Sequence, residues 1–145
     1  MIKIRKAKNK SDILQIKKLI DWGAKNRHVL PRTLKEIRKI SKYFYVCEEN
    51  GEIIGCCSLE IYNKKLSEIR SLVVHPKYQN KGIGSKLVKA CLKEAKRKKI
   101  YEVLAITDKV KFFEKLGFRE CLNNQYPMFI KLKSKNKTNK VGIKN

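Results

Sequence analysis

The sequence has little negative charge and no long hydrophobic segment. Its 145 residues include 36 Lys and Arg but only 13 Asp and Glu, so the formal net charge is +23 at pH 7. No apolar run approaches the roughly 20 residues that a transmembrane helix needs. The chain begins Met-Ile-Lys-Ile-Arg-Lys, which lacks the apolar core of a signal peptide. We therefore expect no membrane partner and a cytoplasmic location.

Cysteine pairs with the spacing of metal ligands are also missing. The five cysteines contain no C-x-x-C pair, which argues against a zinc site, and we predict no metal. Four of them fall in predicted strands or on an apolar helix face: Cys47, Cys56, Cys57 and Cys91. We interpret these as small reduced core residues, and the odd total argues against a disulfide framework.

The excess of positive charge has two explanations. Proteins that bind nucleic acid use Lys and Arg to neutralise phosphates. Here the lysines are scattered through every predicted element, with no basic stripe interleaved with aromatic residues. We therefore do not expect nucleic acid as the principal partner, and a non-catalytic nucleic-acid-binding module is kept as an alternative. An anionic small-molecule ligand would gain from the same positive field.

The length and the hydrophobic pattern predict a mixed sheet covered by helices. Residues 1–132 are expected to form one α/β (α+β) domain with the order β-α-α-β-β-β-α-β-α-β. The last strand of this order is predicted over 125–132. Residues 133–145 are rich in Lys and Asn and contain no acidic residue, so we interpret them as a basic, disordered tail.

The most informative stretch is 75–85, His-Pro-Lys-Tyr-Gln-Asn-Lys-Gly-Ile-Gly-Ser, between a predicted strand and a predicted helix. Backbone N–H groups at a helix start have no intrahelical partner, and the helix dipole adds partial positive charge there. Gly82 and Gly84 remove the side chains that would keep a phosphate away from the backbone. The stretch is predicted to hold a pyrophosphate; a tight turn without a ligand is the alternative.

The glycine pattern matches neither common nucleotide-binding motif. There is no G-x-x-x-x-G-K-[ST], and the G-x-G-x-x-G spacing fails at Lys86 and Leu87. Instead, Gln79-x-x-Gly82-x-Gly84 resembles the acetyl-coenzyme A loop [QR]-x-x-G-x-[GA] of the GNAT N-acetyltransferases. The predicted order of elements is also that of the GNAT fold, over roughly residues 2–132.

This resemblance implies an enzyme that moves acetyl from acetyl-CoA to a primary amine by direct attack. It implies that the strand before the loop, and the loop itself, bind the cofactor through Leu72, Val73, Val74, Gln79, Asn80, Lys81, Gly82, Ile83, Gly84 and Ser85. Phe112–Phe118 resembles the late family motif F-Y-x-x-x-G-F. Phe113 stands where many members carry a tyrosine that protonates the leaving thiolate, so the proton donor differs here.

A narrower resemblance is to the acetyltransferase domain of bacterial N-acetylglutamate synthases. It is carried by Val29-Leu-Pro-Arg-Thr33, Gly55-Cys-Cys57, Glu68 and Val74-His-Pro76. It implies a base at Glu68, a proton donor at Thr107, and acceptor contacts from Leu30, Arg32, the backbone of Ser71, and Ser134. Leu132 departs from the pattern, since it stands where that group has an arginine. The implied acceptor is a small-molecule amine, with the α-amino group of glutamate as the first candidate.

The residues support some of these roles independently. An amine arrives protonated and must lose a proton before it attacks, and Glu68 can accept it, with Glu60 as the second candidate. For Glu68, a solvated strand-end charge or a partner of Arg70 is the alternative. Arg32, at a loop end, suits a carboxylate held by two parallel hydrogen bonds, or it is a surface arginine.

Three points are left open by the sequence. Thr107 is either a proton donor or a cap of the helix that begins near Asp108. The acceptor is either a free amino acid or, alternatively, a protein N-terminus, a lysine or a polyamine. A homodimer is a candidate assembly.

Overall fold

The computed structural model describes residues 1–133. The α-helices are α1 (Lys10–Lys25), α2 (Leu34–Lys39), α3 (Ile83–Arg97) and α4 (Val110–Lys115). The strands are β1 (Ile2–Lys6), β2 (Phe44–Glu49), β3 (Glu52–Ile61), β4 (Leu66–Val74) and β5 (Glu102–Ala105). The chain divides into two compact units, residues 1–106 and a second unit that begins at Thr107. No helix within residues 1–133 is long and apolar enough to cross a membrane.

The five strands form one sheet in the order β1-β2-β3-β4-β5. The first three pairings are antiparallel, and β4 pairs with β5 in parallel. The β2–β3 hairpin turns at Asn50 and Gly51, which both have positive φ (51° and 82°), as a tight two-residue hairpin requires. The predicted mixed α+β architecture is confirmed.

Helices cover both faces of the sheet in the first unit. Residues of α1, α2 and the sheet form one apolar core, which includes Ile16, Leu19, Ile20, Ile37, Phe44, Val46, Ile53, Cys56 and Val73. Successive strand residues point to opposite faces of a sheet. Cys57, the residue after Cys56 on β3, has its Sγ 3.8 Å from Cys91 Sγ of α3. The α1/α2 face and the α3 face are therefore opposite sides of β3. The four cysteines predicted to lie in the core are fully buried there.

The pairing of β3 with β4 contains an irregularity that matters for the site. Cys56 pairs with Val73, whereas Ser58 pairs with Arg70, so β4 has one more residue than β3 over this interval. Ser71, inside the interval, has a φ of 52°. This left-handed conformation is costly for a residue with a Cβ, and such bulges often redirect side chains beside functional sites.

The predicted last strand is absent. Residues 126–132 form no strand, and the neighbouring region contains only an isolated bridge between Leu122 and Gln125. The apolar side chains of this stretch are exposed, from 62% for Tyr126 to 85% for Met128. The prediction was wrong because a β-prone composition makes a strand only where a partner strand and a face to bury are present. The predicted tail lies outside the described residues, apart from Lys133.

Ion pairs join β1 to both helix layers. Arg5 donates to both carboxylate oxygens of Asp12, at 2.8 and 2.9 Å, and this contact lowers the pKa of Asp12. On α3, the carboxylate of Glu94 is only 8% exposed and accepts from Arg97 and Lys6, each at 3.0 Å. Hydrogen bonds from Arg97 and then Lys6 lower the pKa of Glu94 to about 2, against the opposite effect of burial.

These carboxylates predict a loss of stability in acid. Because the folded-state pKa of Glu94 is depressed, its contribution is complete above its ordinary value of 4.5 and is lost as the pH falls towards 2. Glu94→Gln should lower the melting temperature at pH 7 and flatten its decline between pH 4.5 and 2. Glu120→Gln, at an exposed carboxylate, is the control and should melt like the parent. Parallel melting curves for Glu94→Gln and the parent, measured by circular dichroism across this range, would contradict the prediction.

Candidate active site

The loop between β4 and α3 ends in an open helix N-terminus. Gly82 is the N-cap of α3, with a φ of 82°, and no side chain caps this 15-residue helix. In α2, by contrast, Thr33 and Glu36 form a reciprocal capping box. The first N–H groups of α3 are therefore left for a ligand, in a position where the helix dipole favours an anion.

The residues predicted to bind the cofactor in this loop are brought together at that N-terminus. Gln79 Nε2 donates to Val74 O at 2.9 Å and so joins the loop to the end of β4. Asn80 has a left-handed φ of 63°, and Lys81 Nζ lies 5.7 Å from the centre of the Tyr78 ring. The side chain of Ile83 is buried, so this residue offers only its backbone, and Gly84 and Ser85 follow it in the first turn.

The end of β4 has an unpaired edge. The pairing of β5 with β4 covers only Leu66–Ile69. Over Arg70–Val74 no strand among the described residues pairs with that edge. An extended ligand can therefore form backbone hydrogen bonds with β4 there as an added strand would. The predicted contacts Leu72, Val73 and Val74 lie on this segment, and since the side chain of Val73 is buried, its backbone is the part available.

A group of polar side chains occupies the α1/α2 face where β3 and β4 extend beyond the apolar core. Alternation along β3 places Ser58, Glu60 and the following Tyr62 on the same face as Cys56. The register brings Glu68 opposite Glu60 and Arg70 opposite Ser58. We call these five residues, together with Arg32, the polar cluster.

Arg32 reaches this cluster from the loop before α2. Its backbone carbonyl accepts from Lys17 Nζ at 2.9 Å, and its side chain is only 11% exposed. Nε donates to Ser71 Oγ at 2.8 Å, and Nη2 donates to the carboxylate of Glu60. Arg32 is therefore not a solvated surface arginine. The Ser71 side chain thus holds Arg32, and the predicted contact of the Ser71 backbone with the acceptor stays a prediction.

Glu68 is 9% exposed and accepts a hydrogen bond from the Tyr62 hydroxyl. Burial, together with the neighbouring carboxylate, raises the pKa of Tyr62, so the hydroxyl keeps its proton at neutral pH. Arg70 pairs with Glu60 Oε1 at 3.6 Å rather than with Glu68. Both alternatives for Glu68, a solvated charge and a partner of Arg70, are thus excluded. Tyr62 was missed by the sequence analysis, although the alternation of Cys56, Ser58, Glu60 and Tyr62 indicates it.

The other predicted residues are less constrained. Leu30 lies in the loop that carries Arg32 and is 57% exposed. Thr107 begins the second unit, and its Oγ1 accepts from Lys109 N at 2.8 Å; Lys109 is the N-cap of α4. In the same unit Phe113 packs edge-on against Phe112 and Phe118. Ser134 lies outside the described residues. Within residues 1–133, no three or more His, Cys, Asp or Glu are arranged to hold a metal ion.

The comparison with known families agrees with this geometry. Residues 41–120 match the acetyltransferase (GNAT) domain. The chain belongs to the GNAT acetyltransferase family, and it is an acetyl-CoA-dependent acyltransferase. It is 32% identical over 120 residues to an uncharacterized N-acetyltransferase of Chlorobaculum tepidum, covering 83% of this chain and 77% of that protein. It is 31% identical over 120 residues to an amino-acid acetyltransferase of Mycobacterium tuberculosis, covering 81% and 68%.

Solved structures show the same fold with coenzyme A bound. Rv2747 of Mycobacterium tuberculosis, in complex with CoA, has a TM-score of 0.76 and 30% identity, covering 83% of this chain and 73% of that one. N-acetylglutamate synthase of Neisseria gonorrhoeae, complexed with coenzyme A and N-acetyl-glutamate, has a TM-score of 0.78 and 25% identity. That match covers 88% of this chain but only 30% of the synthase.

Proposed function

We propose that this protein acetylates the α-amino group of a free amino acid, with glutamate as the first candidate. The observation that carries the proposal is the polar cluster, where the partly buried guanidinium of Arg32 and the buried carboxylate of Glu68 lie on the same side of the sheet. An amino acid needs both, a cation for its carboxylate and a base for its ammonium group. The amino-acid acetyltransferase and N-acetylglutamate synthase among the similar proteins support the same substrate class.

Acetyl-CoA fits the backbone of β4 and the start of α3. The N–H groups at Gly82–Ser85 would hold the pyrophosphate, beside the charge of Lys81, while Leu72–Val74 would pair with the amides of the pantetheine arm. Bound there, acetyl-CoA supplies an activated acyl group. A backbone N–H of the β4 segment can polarise the acyl carbonyl as the amine attacks.

Glu68 is the proposed base. It would take the proton of the substrate ammonium group through water, and the hydrogen bond from Tyr62 would hold the carboxylate in one orientation. Thr107 is the proposed proton donor to the leaving thiolate; because its oxygen accepts from Lys109, its own hydroxyl proton is still available to donate. Proton transfer from water is the alternative to Thr107.

Arg32 is the proposed contact for the acceptor carboxylate, with Leu30 packing from the same loop. Hydrogen bonds to Glu60 of β3 and Ser71 of β4 hold its guanidinium in place before the substrate arrives. This reduces the side-chain entropy that is lost when the substrate binds. Ser71 contributes through its hydroxyl contact with Arg32. Ser134, as a further substrate contact, stays a prediction.

Gly82 and Gly51 offer a matched test of the cofactor site. Both have a φ of 82°, and a Cβ at either would meet no atom within 4 Å. Substitution by alanine should therefore destabilise the fold by a similar amount at each position, about 1 kcal/mol, because of backbone strain. Only Gly82→Ala should raise the KM for acetyl-CoA, by about tenfold, because only there would the Cβ crowd the phosphates. Equal KM values in a thiol-release assay would contradict the assignment of the loop.

Glu68→Gln tests the base. General-base catalysis is typically worth 10²–10⁴-fold in rate, so we expect a fall in kcat of about a hundredfold or more with little change in the KM for acetyl-CoA. Tyr62→Phe removes only the orienting hydrogen bond and should cost less, about threefold to tenfold. A Glu68→Gln enzyme that keeps the parental kcat would rule Glu68 out as the base.

A panel of acceptors tests the function itself. Thiol release from acetyl-CoA should be fastest with glutamate or another free amino acid, and slow with polyamines and short peptides. Arg32→Ala should then raise the acceptor KM about tenfold or more, as the loss of a charge-assisted hydrogen bond predicts, and leave the acetyl-CoA KM unchanged. Turnover of peptides or polyamines alone would leave the enzyme class intact and overturn the amino-acid proposal.

A further inference from the structure

We infer that Glu60 is the positioning residue of the acceptor site, the group that fixes the guanidinium of Arg32 for the substrate carboxylate. The inference rests on the proposed role of Arg32 and adds a residue to which neither the sequence nor the similar proteins assign this role. Glu60 lies on β3, 28 residues away from Arg32 along the chain.

Two contacts fix one edge of the Arg32 guanidinium. Nε donates to Ser71 Oγ at 2.8 Å, and Nη2 donates to Glu60 Oε2. A guanidinium carries five N–H groups in a rigid plane. Nε and Nη2 are therefore used inside the protein, on the edge that they share. Among residues 1–133 no group pairs with Nη1, so the outer edge, formed by Nη1 and the other N–H of Nη2, is available to a ligand. That outer edge has the fork geometry that binds a carboxylate through two parallel hydrogen bonds.

Glu60 is itself held from several sides. Oε2 accepts from Arg32, Oε1 lies 3.6 Å from Arg70 Nη1, and the side chain is 15% exposed. Ser58 Oγ lies 3.1 Å from Glu60 Oε2 and 3.0 Å from Arg70 O, so its single proton serves one of these two acceptors. A carboxylate fixed in this way on a paired strand is a rigid support for the loop arginine.

The same contacts argue against two other roles for Glu60. As a base it would have to accept a proton while both its oxygens are paired with arginines. Among residues 1–133, the partner of the Glu68 carboxylate is the neutral Tyr62 hydroxyl. As a competitor it would pair with Nη1 of Arg32, on the edge that the substrate needs, yet Glu60 pairs with Nη2 and Ser71 with Nε.

The test is a double-mutant cycle of Glu60→Ala and Arg32→Ala, measured with the amino acid of the panel that has the highest kcat/KM, L-glutamate first. Glu60→Ala alone should raise the acceptor KM about tenfold, with the acetyl-CoA KM and the pH dependence of kcat unchanged. In the Arg32→Ala background, the same substitution should change the acceptor KM by less than about twofold, because the group that it positions is already gone.

Three results would overturn the inference. An equal rise in KM in both backgrounds would show that Glu60 acts without Arg32. A fall in KM on Glu60→Ala would make it a competitor of the substrate. If Glu60→Ala lowered kcat and also abolished the acid limb of the pH profile of kcat, Glu60 would be the base. The proposed function fails separately, if Arg32→Ala alone leaves the acceptor KM unchanged.

Conservative variants separate positioning from folding. Glu60→Gln keeps the volume of the side chain but loses its charge, and we expect a KM increase of about threefold. Glu60→Asp keeps the charge and should restore part of the affinity lost in Glu60→Ala. Melting temperatures identify any variant that fails to fold, and the Gln and Asp variants then decide the outcome: a KM equal to the parent's in both would overturn the inference.

Discussion

The shifted pairing between β3 and β4 is the constraint on which the site depends. In a regular strand Ser71 would point away from the face that carries Arg70. Because β4 has an extra residue here and Ser71 adopts a left-handed φ, its hydroxyl reaches Arg32 and its carbonyl accepts from Cys56 Sγ at 3.5 Å. Both partners lie on the α1/α2 side. The strain of one residue thus aligns the loop arginine with the polar ends of two strands.

The polar cluster is formally neutral within a protein of net charge +23. Arg32 and Arg70 balance Glu60 and Glu68 in formal charge. Both arginines pair directly with Glu60, whereas Glu68 accepts a hydrogen bond from the neutral Tyr62 hydroxyl. The overall charge can draw an anionic cofactor towards the protein, because long-range fields act before contact. It cannot select an acceptor. The choice of acceptor would depend on which hydrogen-bonding positions of these four side chains are not already used by contacts within the protein.

The two halves of the proposed reaction would use different parts of the chain. The proposed cofactor side consists almost entirely of backbone, at the end of β4 and the start of α3, which are consecutive in sequence. The proposed acceptor side consists of side chains from β3, from β4 and from the loop before α2, which are far apart in sequence. A short motif can therefore reveal the first half, but not the second.

The sequence by itself determined the elements, because hydrophobic periodicity, the capping box of Thr33 and Glu36, and the glycines of the loop are local properties. Through the resemblance to known enzymes it also predicts roles for Glu68 and Arg32, and these stay predictions. It failed for 125–132, where composition suggested a strand that has no partner. Only the tertiary structure decided that Arg32 meets Glu60 and that Tyr62 meets Glu68. These contacts depend on strand register and on a bulge, and a shift of one residue would turn each side chain to the opposite face.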